Sequence, residues 1–242
     1  MTETKAAVIM GAGPGLGAAF CKGFAEDGFH VCPVRRNGEA AERLAEDLKA
    51  GGANARAFSA DGADETAVEA LFDTVAREVG PVALTIFNAG GFIKAPVCET
   101  SVETFRKTWE NAALAGFITG RAAARRMTSR GQGTILFTGA TASTRGGSGF
   151  TAFSGAKFAL KAVAQAMARE LGPQGVHVAH IILDGVVSTP STREWLEDVE
   201  RKEAEDTVLN VEAIANAYRA IVRQPRSAWT FETDLRPWTE DW

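Results

Sequence analysis

The segment Gly11-Ala12-Gly13-Pro14-Gly15-Leu16-Gly17 comes directly after a short apolar run, Lys5–Met10, and opens a stretch of helical periodicity, Gly15–Asp27. Strand, glycine turn and helix in that order restrict the fold more than any other feature of the chain. Glycines permit a tight turn, let backbone N–H groups approach a phosphate closely, and let the helix pack near the strand. The start of such a helix also presents unpaired N–H donors and the positive end of its dipole. Glycines serve ordinary turns as well, so the weight of the motif depends on the pattern of the rest of the chain.

That pattern is a regular alternation of apolar runs and amphipathic helical segments. Strands are predicted at His30–Val34, Ala55–Ser59, Leu84–Phe87, Thr134–Thr138 and Val176–Leu183, with a last one at Ala228–Phe231. Helices are predicted at Glu39–Ala50, Glu65–Glu78, Val102–Met127 and Gly149–Leu171, and at Val211–Arg223 behind the capping candidate Asn210. Alternation of this kind specifies an α/β fold, a Rossmann-like doubly wound parallel sheet of about seven strands with helices on both faces. Ser188–Thr207 breaks the rhythm, being charged and poorly periodic, and reads as an excursion over a substrate with one short helix around Trp195. No linker or repeat interrupts the 242 residues, so residues 1–242 are expected to form one domain.

Composition excludes several function classes. A net charge of −4 offers no basic footprint for nucleic acid, and no apolar run is long enough to span a membrane. Cys21, Cys32 and Cys98 are odd in number and widely spaced, which suits reduced thiols, and with no signal-peptide pattern the chain is expected to be cytoplasmic. His30, His177 and His180 suggest no metal site; the last two stand at an odd offset in one strand and face opposite ways.

The spacing G-x-x-x-G-x-G at Gly11, Gly13, Gly15, Leu16 and Gly17 resembles the short-chain dehydrogenase/reductase family, and further marks fall in the family's order along nearly the whole chain. Asp61 comes after the third strand, where the family contacts adenine, and Asn88-Ala89-Gly90 matches its N-A-G turn. Asn111 matches the active-site helix asparagine, Lys157 the lysine of Y-x-x-x-K, and Thr189 the threonine that meets the nicotinamide amide. The resemblance implies a nicotinamide dinucleotide cofactor, a small-molecule substrate, and a homodimer or homotetramer built through Val102–Met127 and Gly149–Leu171.

Two features refine that picture. A ribose hydroxyl is usually read by an acid at the end of the second strand, whereas a 2′-phosphate wants a cation. Here Arg35 and Arg36 stand at that point with no acid beside them, which favours NADP(H) over NAD(H). The family's proton-donating tyrosine and substrate-binding serine correspond to Phe153 and Ala140, neither of which can donate a proton or a hydrogen bond. The one tyrosine, Tyr218, lies in the penultimate helix with an expected structural role. Asp184-Gly185 replaces the family's Pro-Gly beside the nicotinamide, so Asp184 is either a turn aspartate bonding backbone N–H groups or a carboxyl at the reaction centre. Lys157 is a second candidate acid besides its ribose-holding role. The expectation is an oxidoreductase acting on an imine or activated C=C bond, whose chemistry does not need the tyrosine. The alternatives are a non-catalytic NADP(H)-binding sensor or partner subunit, or non-redox chemistry in the same pocket. The aromatic segment Trp229–Trp238 suits either an interface or burial on the domain's own core.

Overall fold

The computed structural model describes residues 4–241; residues 1–3 and 242 of the expected single domain lie outside the described residues. Seven parallel strands form one sheet in the order β3-β2-β1-β4-β5-β6-β7. They are β1 Ala6–Met10, β2 His30–Arg35, β3 Phe58–Ser59, β4 Val82–Phe87, β5 Gly133–Thr138, β6 Val176–Leu183 and β7 Glu232–Leu235. The helices are α1 Leu16–Glu26, α2 Gly38–Ala50, α3 Glu65–Glu78, α4 Val102–Trp109, α5 Ala115–Thr128, α6 Thr151–Leu171, α7 Pro190–Arg193, α8 Val199–Ala204 and α9 Val211–Val222. The chain runs outward through β2 and β3, then returns to place β4 on the other side of β1. That reversal opens a crevice at the carboxyl ends of β1 and β4.

Burial on both faces explains the near-continuous apolar strands. Ala7 and Ile9 of β1 pack with Phe20, Phe24, Ile214 and Tyr218 of α1 and α9. Val8 and Met10 pack on the opposite face with Val68, Ile118 and Leu160 of α3, α5 and α6. Fully burying a side chain of this size contributes about 1.5–3 kcal/mol, so these two layers, not the exposed ion pairs, hold the sheet. Asn37, Asp64, Ser101 and Asn210 cap α2, α3, α4 and α9 with side-chain oxygens. No helix among the described residues is long and apolar enough to cross a membrane.

Four expectations shift. The predicted strand Ala55–Ser59 shrinks to β3, preceded by a lone bridge between Val31 and Ala55. The cause is Pro33: alternate residues of β2 face β3, where Val31 N–H donates to Asn54 at 3.0 Å and the Arg35 carbonyl accepts from Ala60 at 3.2 Å. Proline at the intervening position has no N–H for that ladder. The last strand falls at Glu232–Leu235 rather than Ala228–Phe231, because Arg226–Ala228 form a tight turn and Gln224 brackets Thr230 with two hydrogen bonds of 2.8 Å. Trp229 stacks on His177 with centroids 4.8 Å apart, whereas Trp238 is exposed and donates its indole N–H to the Glu205 carbonyl at 3.1 Å. In the excursion, two short helices, α7 and α8, flank Trp195 instead of containing it. Glu203 clasps them by accepting from Ser188 and Arg193. The long helix Val102–Met127 is interrupted by a π turn at Glu110–Leu114 between α4 and α5. Such turns re-aim the side chains they contain.

Candidate active site

The crevice at the head of β1 and β4 is a cleft of about 650 Å³. Gly11, Gly13, Gly15, Leu16 and Gly17 line one wall, with Arg35, Arg36, Asp61, Asn88, Ala89, Gly90, Asn111 and Thr189 around the rest. Gly11 has φ +88°, and a Cβ there would stand 2.7 Å from the Ala89 nitrogen. A Cβ on Gly17 would meet Ala12 Cα at 2.5 Å, so only glycine lets α1 start this close to the turn. Gly13 faces open space. Asn88 ties β4 to the turn, donating from its side chain to the Gly11 carbonyl at 3.1 Å. Asp61 accepts from Ala63 N–H at 3.0 Å at the end of β3. Arg35 and Arg36 stand at the cleft without an ion-pair partner among the described residues. The π turn brings Asn111 to the same cleft.

A second cavity of about 730 Å³ shares Leu16, Asn88, Ala89, Gly90, Thr189 and Ser191 with the first, so the two meet at the end of β4. Its surface is mainly apolar. Phe92 packs edge-on against Phe150 and Phe153 at 5.5 and 5.6 Å, and Trp195 of the excursion adds a further ring. Ala140, Phe153 and Gly185 line this cavity rather than the first. Lys157 reaches it from α6, its ammonium donating to the Thr138 carbonyl at 2.9 Å and lying 3.5 Å from the place a Gly90 Cβ would take. Burial penalises the ammonium and brings its pKa down to about 8. Tyr218 is fully buried, lines neither cavity, and donates to Thr138 Oγ1 at 2.9 Å.

Asp184 is buried and lines neither cavity. Side chains, rather than the nearby backbone N–H groups, occupy its carboxylate. Thr141 Oγ1 donates to it at 2.6 Å, Arg145 reaches both oxygens at 3.2 and 3.3 Å, and Arg236 stands at 3.2 Å. Sequence reasoning missed two ionisable residues that do line the second cavity, Arg145 and Glu240. Arg145 lies in a glycine-containing loop after β5, and a charged residue in a loop at the carboxyl end of a strand is the local signal that points to it. Glu240 carries no local signal, because only the tertiary fold brings the C-terminal segment here.

Known proteins share this architecture. Residues 5–200 match the family model described as short chain dehydrogenase. A crystal structure of a short-chain dehydrogenase from Rhodopseudomonas palustris is 43% identical, with a TM-score of 0.83, covering 97% of this chain and 99% of that one. D-threitol dehydrogenase from Mycolicibacterium smegmatis is 31% identical over 193 residues, 80% of this chain and 74% of that protein. A metagenomic short-chain oxidoreductase solved in complex with NADP is 20% identical, with a TM-score of 0.82 over 96% of each chain, and shares the fold. With the glycine turn, the switch in strand order and all of the two cavities' lining except Glu240 in the matched region, this chain belongs to the short-chain dehydrogenase/reductase family, whose relatives are oxidoreductases.

Proposed function

We propose that this chain is an NADP(H)-dependent oxidoreductase with a non-standard catalytic centre, reducing an imine or an activated C=C bond rather than a simple ketone. The observation that carries the reading is the shared wall of the two cavities, beside which the Lys157 ammonium stands while Ala140 and Phe153 line the substrate side. In this reading Ala140 and Phe153 occupy the family's serine and tyrosine positions. The donor set of the first cleft suits a dinucleotide: backbone N–H groups at the open glycine turn suit a pyrophosphate, and Arg35 and Arg36 suit a 2′-phosphate. The related fold with NADP bound is consistent with that assignment.

Bound there, the reduced cofactor supplies a hydride to the substrate carbon. The chain's own residues do the rest. The Thr138 carbonyl orients Lys157 Nζ, which gives its proton to the imine nitrogen or the carbon next to an activating group. Phe92, Phe150, Phe153 and Trp195 give the substrate side apolar walls. Asn111 and Thr189 position the nicotinamide end, and Asp184 positions Arg145 instead of acting as an acid.

Titrating NADPH and NADH by fluorescence tests the cofactor assignment. Arg36→Asp is expected to weaken NADPH binding by about 10- to 100-fold, the worth of a charge-assisted contact, and to leave NADH little changed. If neither nucleotide binds the native protein, the reading fails. A panel of imines, enones and enoyl thioesters then tests turnover. Tight NADPH binding without oxidation of it across that panel would favour the non-catalytic sensor or partner subunit that Phe153 and Ala140 also suit.

A homo-oligomer belongs to the same reading. Phe105, Trp109, Phe117 and Phe158 are exposed on α4, the π turn's edge, α5 and α6, an apolar set suited to a homodimer or homotetramer. Sedimentation at micromolar concentration is expected to give twice or four times the 25.6 kDa chain mass, and a monomer would refute it.

A further inference from the structure

We propose that Arg145 is a substrate anchor that takes a carboxylate carried on an apolar, aromatic-sized substrate, and that Glu240 is the internal carboxylate that this substrate displaces. The inference deepens the oxidoreductase reading and rests on it only in taking the second cavity as the substrate site.

Arg145 is half exposed, with 47% of its side chain accessible, and forms part of the cavity wall. Asp184 holds the guanidinium from behind through two contacts of 3.2 and 3.3 Å, one to each carboxylate oxygen. Asp184 is itself fixed by Thr141 and shared with Arg236, so its single charge serves two guanidiniums. A guanidinium has five N–H donors in a planar fork, and two contacts leave donors for a second carboxylate.

A carboxylate of the chain already stands near that place. Glu240 Oε1 is 4.0 Å from Arg145 Nη2, and its other oxygen is 3.4 Å from where a Gly185 Cβ would be. At 4.0 Å the pair is an ion pair without a hydrogen bond, so a ligand carboxylate making short charge-assisted contacts outcompetes it. The remainder of the cavity explains why the anchor matters. An anion placed beside Phe92, Phe150, Phe153 and Trp195 loses part of its hydration, and a fixed cation offsets that loss. Lys157, the proton-giving group of the reading above, leaves Arg145 free for a different part of the substrate. The substrate class is therefore an unsaturated acid: a reducible C=C or C=N bond beside Lys157, an apolar body among the rings, and a carboxylate on Arg145. A cavity of about 730 Å³ holds a molecule of that size.

The probes are trans-cinnamate and its neutral amide, cinnamamide, titrated calorimetrically into the full chain with and without saturating NADP⁺. Cinnamate is expected to bind at least about tenfold more tightly than the amide, the difference of one charge-assisted contact. Arg145→Gln is expected to remove that preference while changing amide affinity by less than about threefold, and Glu240→Gln is expected to tighten cinnamate alone. Equal affinity for the two probes, failure of both to bind, or a preference that survives Arg145→Gln would overturn the proposal. If Arg145→Gln does not fold, Glu240→Gln decides: an unchanged ratio of the two affinities counts against the anchor. NADPH titration of the same samples separates the two ideas, because its failure sinks the oxidoreductase reading while the titrations without cofactor still judge the anchor.

Discussion

Replacing Lys157 by methionine is expected to lower turnover of the imine or enone substrate by about 10²- to 10⁴-fold, the usual cost of losing a general acid. Burial is what equips this lysine for the role. The amine is enclosed between the Thr138 carbonyl and the Gly90 turn, and desolvation brings its pKa down to about 8. An acid with that value is protonated at neutral pH and still gives its proton readily. The reduction rate is expected to be level below pH 8 and to fall above it as the ammonium is lost. Lys157→Arg separates acid from fixture, since a guanidinium keeps the charge and the donors but does not release a proton. It is expected to keep NADPH affinity within a few-fold while turnover stays low. Near-native turnover in Lys157→Arg would show that the lysine only holds the cofactor. Stability offers an independent check. The folded pKa lies below the ordinary value of 10.5, so the unfolded chain binds more protons between pH 8 and 10.5. The cost of burying the ammonium is fully present below pH 8 and is relieved as pH rises through that window. Without cofactor, the native protein should therefore gain stability over that range relative to Lys157→Met, as read from urea midpoints.

Much of the frame is legible in the sequence because its signals are local. Apolar runs such as Ala6–Met10 and Val176–Leu183 announce strands covered on both faces, and the glycine turn marks where the first helix begins. The features that escape depend on partners distant in sequence. Pro33 is visible as an irregularity in β2, yet its effect falls on β3, whose ladder needs the missing N–H. The π turn at Glu110–Leu114 has no compositional mark, since Ala112 and Ala113 suit an α-helix equally well. Asp184 stands out through its departure from Pro-Gly, but its meaning lies in Arg145 and Arg236, 39 residues before it and in the C-terminal segment. The candidate lysine is legible from its register with Phe153, whereas its lowered pKa comes from burial that only the fold creates.

The double variant Ala140→Ser with Phe153→Tyr is expected to gain reduction of simple ketones by about 10²-fold or more, since each restored group is worth about 10²- to 10³-fold in related chemistry. Both positions line the second cavity, so each added oxygen enters space the substrate uses and not the core. The Phe153 ring centroid is 5.9 Å from Lys157 Nζ, which places a tyrosine hydroxyl within the influence of the ammonium. A nearby positive charge favours the phenolate and lowers the pKa of such a hydroxyl. Ala140 has extended backbone, φ −156° and ψ 171°, which serine adopts without strain. The hydroxyls would act as a unit, one holding the carbonyl oxygen and the other giving it a proton, so each single variant is expected to gain far less than the pair. The measurement is NADPH oxidation with a ketone panel, alongside NADPH affinity as a control on folding. A double variant that binds NADPH normally yet leaves ketones untouched would mean that cavity shape, rather than these two missing groups, sets the substrate class. A large gain would locate the difference between this chain and a ketone reductase in two side chains, with Lys157 and the cofactor cleft already suited to either chemistry.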